Sequence, residues 1–139
     1  MTEITLQVGV KVLLKNPENK FLLVKRSAKA YPDAICGWEL VGGRITPGMP
    51  LLENLKREIK EETGITRVEN IKLVAAQDIL RIAGKHVVRL TYTADTKNEK
   101  VVLDKNENTE YVWVTSKELE SQPGLDPYLD EMVRSGTVG

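Results

Sequence analysis

The stretch from Gly42 to Ile65, GGRITPGMPLLENLKREIKEETGI, constrains this chain more than any other, because it joins a glycine turn to one helix with two different faces. Pro47, Gly48 and Pro50 mark where the helix begins and Gly64 where it ends, since proline presets the first-turn φ and glycine accepts the left-handed cap. At 3.6 residues per turn Leu52, Leu55 and Ile59 share one side, while Glu58, Glu61 and Glu62 cluster at i, i+3 and i+4 on another. The apolar side predicts packing on a neighbouring layer. The acidic side presents three oxygen donors.

Like charges at this spacing cost a helix only about 0.2–0.5 kcal/mol per pair, and Lys56 and Lys60 offset part of that. Repulsion alone therefore leaves a solvated amphipathic helix as a competing interpretation. Hard divalent cations such as Mg2+ or Mn2+ favour carboxylate, carbonyl and water ligands held at fixed spacing. The same ions neutralise a leaving phosphate and lower the pKa of an attacking water, so the cluster suits diphosphate chemistry. Gly42 and Gly43, just before the helix, can bring backbone carbonyls close to a ligand.

Val8 to Asn16 and Lys20 to Arg26 are apolar, β-branched runs separated by Pro17, Glu18 and Asn19, which predicts a hairpin. Trp38 to Val41 leads into the glycine pair, and further strands are expected at Ile71 to Leu80, His86 to Ala94, Val101 to Leu103 and Tyr111 to Val114. Ser116 is expected to cap a short helical turn, and Asp126 to Arg134 reads as a closing helix started by Pro127. Strands flanked by helices imply a mixed β-sheet between helical layers, an α/β fold. With 139 residues and no linker or repeat, one domain over 1–139 is expected, its last residues 135–139 frayed.

Twenty basic residues balance twenty acidic ones without a dense Lys/Arg block, so no extended nucleic-acid surface is expected. Without a basic-then-apolar leader or a run of membrane-spanning length, the chain reads as a cytoplasmic protein with no membrane partner. Cys36 is the only cysteine, which excludes an intramolecular disulfide, and a nucleophilic pair with His86 is disfavoured by their separation.

Gly43, Arg57, Glu58, Ile59, Glu61, Glu62, Gly64 and Ile65 stand at the spacing of the Nudix box: glycine, five residues, glutamate, seven residues, then R-E-U-x-E-E-x-G-U with U aliphatic. The chain resembles the Nudix hydrolases, and Trp38 to Gly43 is similar to their W-x-L-P-G-G approach with Val41 in place of proline. The resemblance implies an α/β/α sandwich and a Mg2+- or Mn2+-dependent hydrolase of nucleoside diphosphates linked to another moiety. By matching positions, Glu58 and Glu62 are metal ligands, Glu61 completes the shell or deprotonates water, Arg57 orients the cluster and the Gly42 carbonyl contacts the metal. Glu107-Asn108-Thr109-Glu110 resembles the acidic segment that many members set opposite the helix, so Glu107 or Glu110 adds a ligand or the general base. One box position departs: Met49 stands where the family has its first glutamate, and Glu53, one turn before Arg57, is the expected substitute.

For substrate binding, Lys25 and Arg26 either supply charge for phosphate or form an exposed strand end, Trp38 beside the box either stacks on a base or plugs the core under the glycine loop, and Gly43 lies next to the ligand. Tyr31 is a further stacking candidate, whereas Trp113 in an alternating strand reads as core. Family members that act on ADP-ribose or dinucleoside polyphosphates often carry a proline or tyrosine beyond the box, and Asp78 to Ala83 has neither. Nucleoside triphosphates or small nucleotide derivatives are therefore favoured, and the coenzyme A signature is not completed. A homodimer is compatible with this reading. The alternative, from Met49, is a Nudix-fold module that binds a nucleotide without cleaving it.

Overall fold

The computed structural model describes residues 3–29, 37–97 and 100–138, so Tyr31 and Cys36 lie outside the described residues. The elements run β1 (Thr5–Lys15), β2 (Phe21–Arg26), β3 (Trp38–Glu39), β4 (Val41–Arg44), α1 (Leu51–Thr63), β5 (Val68–Ile79), β6 (Lys85–Thr96), β7 (Asn108–Val114), α2 (Ser116–Ser121) and α3 (Pro127–Arg134). β1 lies parallel to β6 along its whole length, Thr5 opposite Lys85 through Lys15 opposite Asp95, and β5 is antiparallel to β6. The sheet is mixed, as expected.

The hairpin between β1 and β2 forms, its turn closed by Asn16, whose Oδ1 accepts from the Glu18 and Lys20 N–H groups at 3.0 Å each. Pairing stops after Lys15 and Phe21. β2 then leaves to pair with β7 and β3, and the freed edge of β1 takes β4, with Val12, Lys11, Val10 and Gly9 opposite Val41, Gly42, Gly43 and Arg44. That substitution of strands places the glycine turn on the central strand.

Strands covered on both faces read as continuous apolar runs, and Val12, Leu13 and Leu14 are all inaccessible to solvent. Alternation sends Val10, Val12, Leu14, Leu22, Val24 and Val41 to Leu55 and Ile59 of α1. Leu13, Leu23 and Leu40 point the other way, to Leu119 of α2 and Leu129 and Met132 of α3. The sheet is thus sandwiched, one helix on one face and two on the other.

Several expectations need correction. Leu52 is 45% exposed, because the inward stripe of α1 follows i, i+4 steps through Asn54, Glu58 and Glu62 beside Leu55, Ile59 and Thr63. Two of the three clustered carboxylates, Glu58 and Glu62, therefore face the fold rather than solvent. Val101 to Leu103 is not a strand: Val102 N–H donates to the Thr63 carbonyl at 2.9 Å, so this segment spends its backbone on the end of α1. Thr115 rather than Ser116 caps α2, through a reciprocal box in which Thr115 Oγ1 accepts from Glu118 N–H and Glu118 Oε1 from Thr115 N–H. Asp126 caps α3 ahead of Pro127, its Oδ2 accepting from Tyr128 and Leu129 N–H groups at 3.0 and 3.1 Å. Beyond α3, in the tail expected to fray, Thr137 N–H donates to the Met132 carbonyl at 3.0 Å and Val138 packs on the second apolar cluster. No helix among the described residues is long and apolar enough to cross a membrane.

Candidate active site

Gly42 takes φ 141°, and a Cβ there would lie 1.9 Å from the Val10 carbonyl oxygen, so only glycine lets β4 come this close to β1. This turn aims its N–H at α1. Gly42 N–H donates to Glu62 Oε2 at 2.8 Å, while Asn108 Nδ2 donates to Glu62 Oε1 at 3.0 Å. Glu62 is only 1% exposed, and Asn108, wholly buried at the start of β7, leaves its own Oδ1 without a hydrogen-bond partner among the described residues.

Glu58, one turn earlier and 8% exposed, rests its carboxylate against Gly43, where a Cβ would meet both oxygens at 3.0–3.1 Å. Arg57 Nη1 lies 3.2 Å from Glu58 Oε1 and 3.3 Å from the Oε2 of exposed Glu61. Glu107 is half-buried, held by its carbonyl accepting the Ser27 N–H at 2.8 Å, and its charge acts on Glu58. Glu110 is exposed, 3.9 Å from Lys25 Nζ, so of the two acidic candidates only Glu107 bears on the helix carboxylates.

Burial pushes Glu62 up to about 7, against the opposing pull of Lys11, Arg26 and the Asn108 bond, and neighbouring Glu58 adds to the rise. Glu58 is also raised, first by burial and then by Glu61 and Glu107, with Arg57 working against them. Two adjacent carboxylates with raised pKa values and an unpartnered amide oxygen form an oxygen-rich donor set suited to a hard divalent cation. Among the described residues no three acidic side chains form a ready-made cation cage. Each is turned to a donor of the protein instead.

The Gly42 carbonyl accepts from Lys11 Nζ at 3.2 Å and from Arg26 Nη2 at 3.0 Å, so Arg26 sits at the glycine turn rather than at a free strand end. Lys25 Nζ lies 5.7 Å from the centroid of the Trp38 ring, and that half-buried ring packs on the second apolar cluster. Trp113 packs partly buried against the first cluster.

The NUDIX domain family model matches residues 5–135. The chain belongs to the Nudix family. It is a Nudix pyrophosphohydrolase acting on nucleoside diphosphate derivatives. In fold it is similar to a MutT protein from Methanosarcina mazei Go1, at TM-score 0.83 and 26% identity over 97% of this chain and 95% of that one. A MutT NUDIX hydrolase from Burkholderia pseudomallei aligns at TM-score 0.78 and 25% identity, covering 94% of this chain and 97% of its own. The E. coli ORF135 protein shares the fold at TM-score 0.75 and 22% identity, over 96% of this chain and 89% of that chain. No curated protein matched by sequence.

In this Nudix domain the expected pair between Glu53 and Arg57 does not form: Glu53 is exposed, and Arg57 Nη2 donates instead to Asn54 Oδ1 at 3.0 Å. Sequence reasoning missed Asn54 because a polar residue at the start of a mixed-charge helix looks solvated. It also missed Lys11 and Arg89, although each interrupts a short apolar run, Val8 to Leu14 and Val87 to Leu90, which is an available signal for a buried charge. Arg89 Nη1 and Nη2 each donate to a Glu39 carboxylate oxygen at 3.0 Å, with Asp126 Oδ2 at 3.2 Å and Lys11 Nζ 3.9 Å from Glu39. Burial alone would raise Glu39, yet Lys11 and Arg89 hold it well below the usual carboxylate range, and burial draws Lys11 down to about 8. This ionic cluster sits behind the glycine turn, since Lys11 also donates to the Leu40 and Gly42 carbonyls.

Proposed function

We propose that the chain hydrolyses the diphosphate linkage of nucleoside triphosphates or small nucleotide derivatives in the presence of Mg2+ or Mn2+. The observation that carries this is the buried carboxylate pair, Glu58 and Glu62, set against a glycine turn and beside the unpartnered Asn108 oxygen. Glu58 and Glu62 are the residues that would hold the cation, with Glu61 completing the set; the Gly42 carbonyl would join only by releasing Lys11 or Arg26. When bound, the ion supplies charge neutralisation at the diphosphate and acidifies the attacking water.

Glu107 or Glu61 takes the proton as water oxygen bonds to one phosphorus of the bridge; the bridging P–O bond breaks and its electrons leave with the departing phosphate. Arg57 keeps Glu58 and Glu61 oriented. Arg26, already at the rim of the glycine turn, and Lys25, held over Trp38, supply cationic donors for the phosphate chain, and Gly43 keeps the backbone out of its way. A base stacking on Trp38 would take the place of Lys25 over the ring. The charge balance of the whole chain suits a small nucleotide rather than an extended nucleic acid.

The test is phosphate release, after coupled pyrophosphatase or phosphatase treatment, from a panel of nucleoside triphosphates and nucleotide-linked diphosphates with Mg2+ or Mn2+. Metal-dependent turnover by the wild type, lost in Glu62→Gln, is expected. Turnover that is unchanged by chelator would overturn the metal-dependent reading.

A further inference from the structure

Asn54 uses every hydrogen-bonding capacity its amide has. Its Oδ1 accepts from the Thr46 N–H at 2.8 Å and from Arg57 Nη2 at 3.0 Å, and its Nδ2 donates to the Met49 carbonyl at 2.7 Å and the Pro50 carbonyl at 3.0 Å. The side chain is wholly inaccessible to solvent. A buried polar group satisfied in this way admits one geometry, because any shift leaves a donor or acceptor unpaired at a cost of about 1–3 kcal/mol. Its four partners are Thr46 and Met49 of the loop after the glycine turn, Pro50 just before α1, and the box arginine, Arg57.

Pro50, the residue before α1, offers it no side-chain cap. Position 49, where the Nudix box carries its first glutamate, is Met49, whose side chain can accept no hydrogen bond of comparable strength from a guanidinium. With Asn54 holding Nη2, the other terminal nitrogen of Arg57 is left facing both Glu58 and Glu61.

We propose that Asn54 is a positioning residue that replaces the absent box glutamate: it ties the loop to α1 and fixes Arg57, and through Arg57 it orients Glu58 and Glu61. This rests on the metal-dependent reading above. It differs from that reading in locating the compensation for Met49 five residues on, inside the helix, with a neutral amide in place of a carboxylate.

The experiment compares full-length wild type, Asn54→Ala, Asn54→Asp and the double variant Met49→Glu/Asn54→Ala by Mn2+ titration and by steady-state hydrolysis of the best nucleoside triphosphate. Asn54→Ala should raise the Mn2+ half-saturation at least fivefold and lower kcat at least tenfold, with KM for the nucleotide within twofold. Asn54→Asp keeps the acceptors for Thr46 and Arg57 but loses both donors, so it should melt lower yet keep its Mn2+ half-saturation within twofold of wild type. Glutamate at position 49 should restore most of the Mn2+ response lost in Asn54→Ala. A folded Asn54→Ala with wild-type Mn2+ binding and kcat would overturn the proposal. So would Mn2+ affinity that merely tracks melting temperature across the set, the outcome of a structural role alone. If Asn54→Ala does not fold, Asn54→Asp decides: a folded Asn54→Asp whose Mn2+ half-saturation rises fivefold or more, although both acceptors are kept, would overturn the proposal. A wild type with no Mn2+ site would overturn the metal-dependent reading and this role with it, whereas an active, Mn2+-binding wild type indifferent to Asn54 would overturn this role alone.

Discussion

The Gly42 N–H donates to Glu62 Oε2 at 2.8 Å, linking the turn that only glycine can make to the most deeply buried carboxylate of α1. A glutamine at position 62 can keep that bond through its amide oxygen, and Asn108 can rotate its unpartnered oxygen to accept from the new NH2. Glu62→Gln is therefore expected to fold, to melt at or above the wild-type temperature at pH 8 without divalent ions, and to lose at least a hundredfold in metal-dependent kcat. Differential scanning fluorimetry and the phosphate-release assay on one preparation read both.

The pH dependence follows from the same residue. Glu62 rises from the ordinary carboxylate value of 4.5 to about 7 in the fold, so its contribution to stability is full below 4.5, falls as pH climbs through that window, and is gone above about 7. In divalent-free buffer the melting temperature of Glu62→Gln minus that of wild type should grow between pH 4.5 and 7 and then level off. Below pH 7, protons compete with the cation, so activity at subsaturating Mg2+ should fall more steeply than activity at saturation. A difference in melting temperature that stays flat across the window would sink the assignment.

Gly43→Ala probes the contact with Glu58. The added methyl would press on both carboxylate oxygens, the free end of a flexible side chain, so the carboxylate moves rather than the backbone. Expected outcomes are a melting temperature within a few degrees of wild type and a several-fold higher Mg2+ concentration for half-maximal rate. A large loss of stability with normal Mg2+ activation would contradict this picture.

Glu107→Gln and Glu110→Gln should separate sharply. Glu107 is half-buried and acts on Glu58, whereas Glu110 is exposed beside Lys25. Loss of a general base costs about 10²–10⁴ in rate, so Glu107→Gln is expected to fall in that range and Glu110→Gln to stay within threefold. Equal behaviour in single-turnover assays would remove Glu107 from the mechanism.

Arg89→Met leaves Glu39 buried with Lys11 3.9 Å away and Asp126 without its guanidinium. Breaking one partner out of a buried ion pair typically costs about 3–5 kcal/mol, and urea denaturation should register a loss of that order. Adding Glu39→Gln to Arg89→Met should recover part of it, the mark of a charge stranded by the single change. Additive losses would argue that the two residues are not coupled.

The spacing of the sequence determined the local elements of the candidate site: the glycine pair, the helix from Leu51 to Thr63, its left-handed end at Gly64, and the roster of Arg57, Glu58, Glu61 and Glu62. Those depend on period, propensity and turn chemistry, which act over a few residues. Only the tertiary structure decided which carboxylates are inside, because the inward stripe of α1 is set by the strands it meets, and these turned Asn54, Glu58 and Glu62 inward while leaving Leu52 out. The same holds for Lys11, Glu39, Arg89 and Asp126, which come from four distant parts of the chain: β1 pairs in parallel with β6 to bring Lys11 and Arg89 onto neighbouring strands, Glu39 lies on β3 beside β2, and Asp126 is tied to β3 by its N–H donating to the Trp38 carbonyl. Long-range pairing chooses such partners, and no local pattern encodes a contact whose two halves lie fifty residues apart, as Glu39 and Arg89 do.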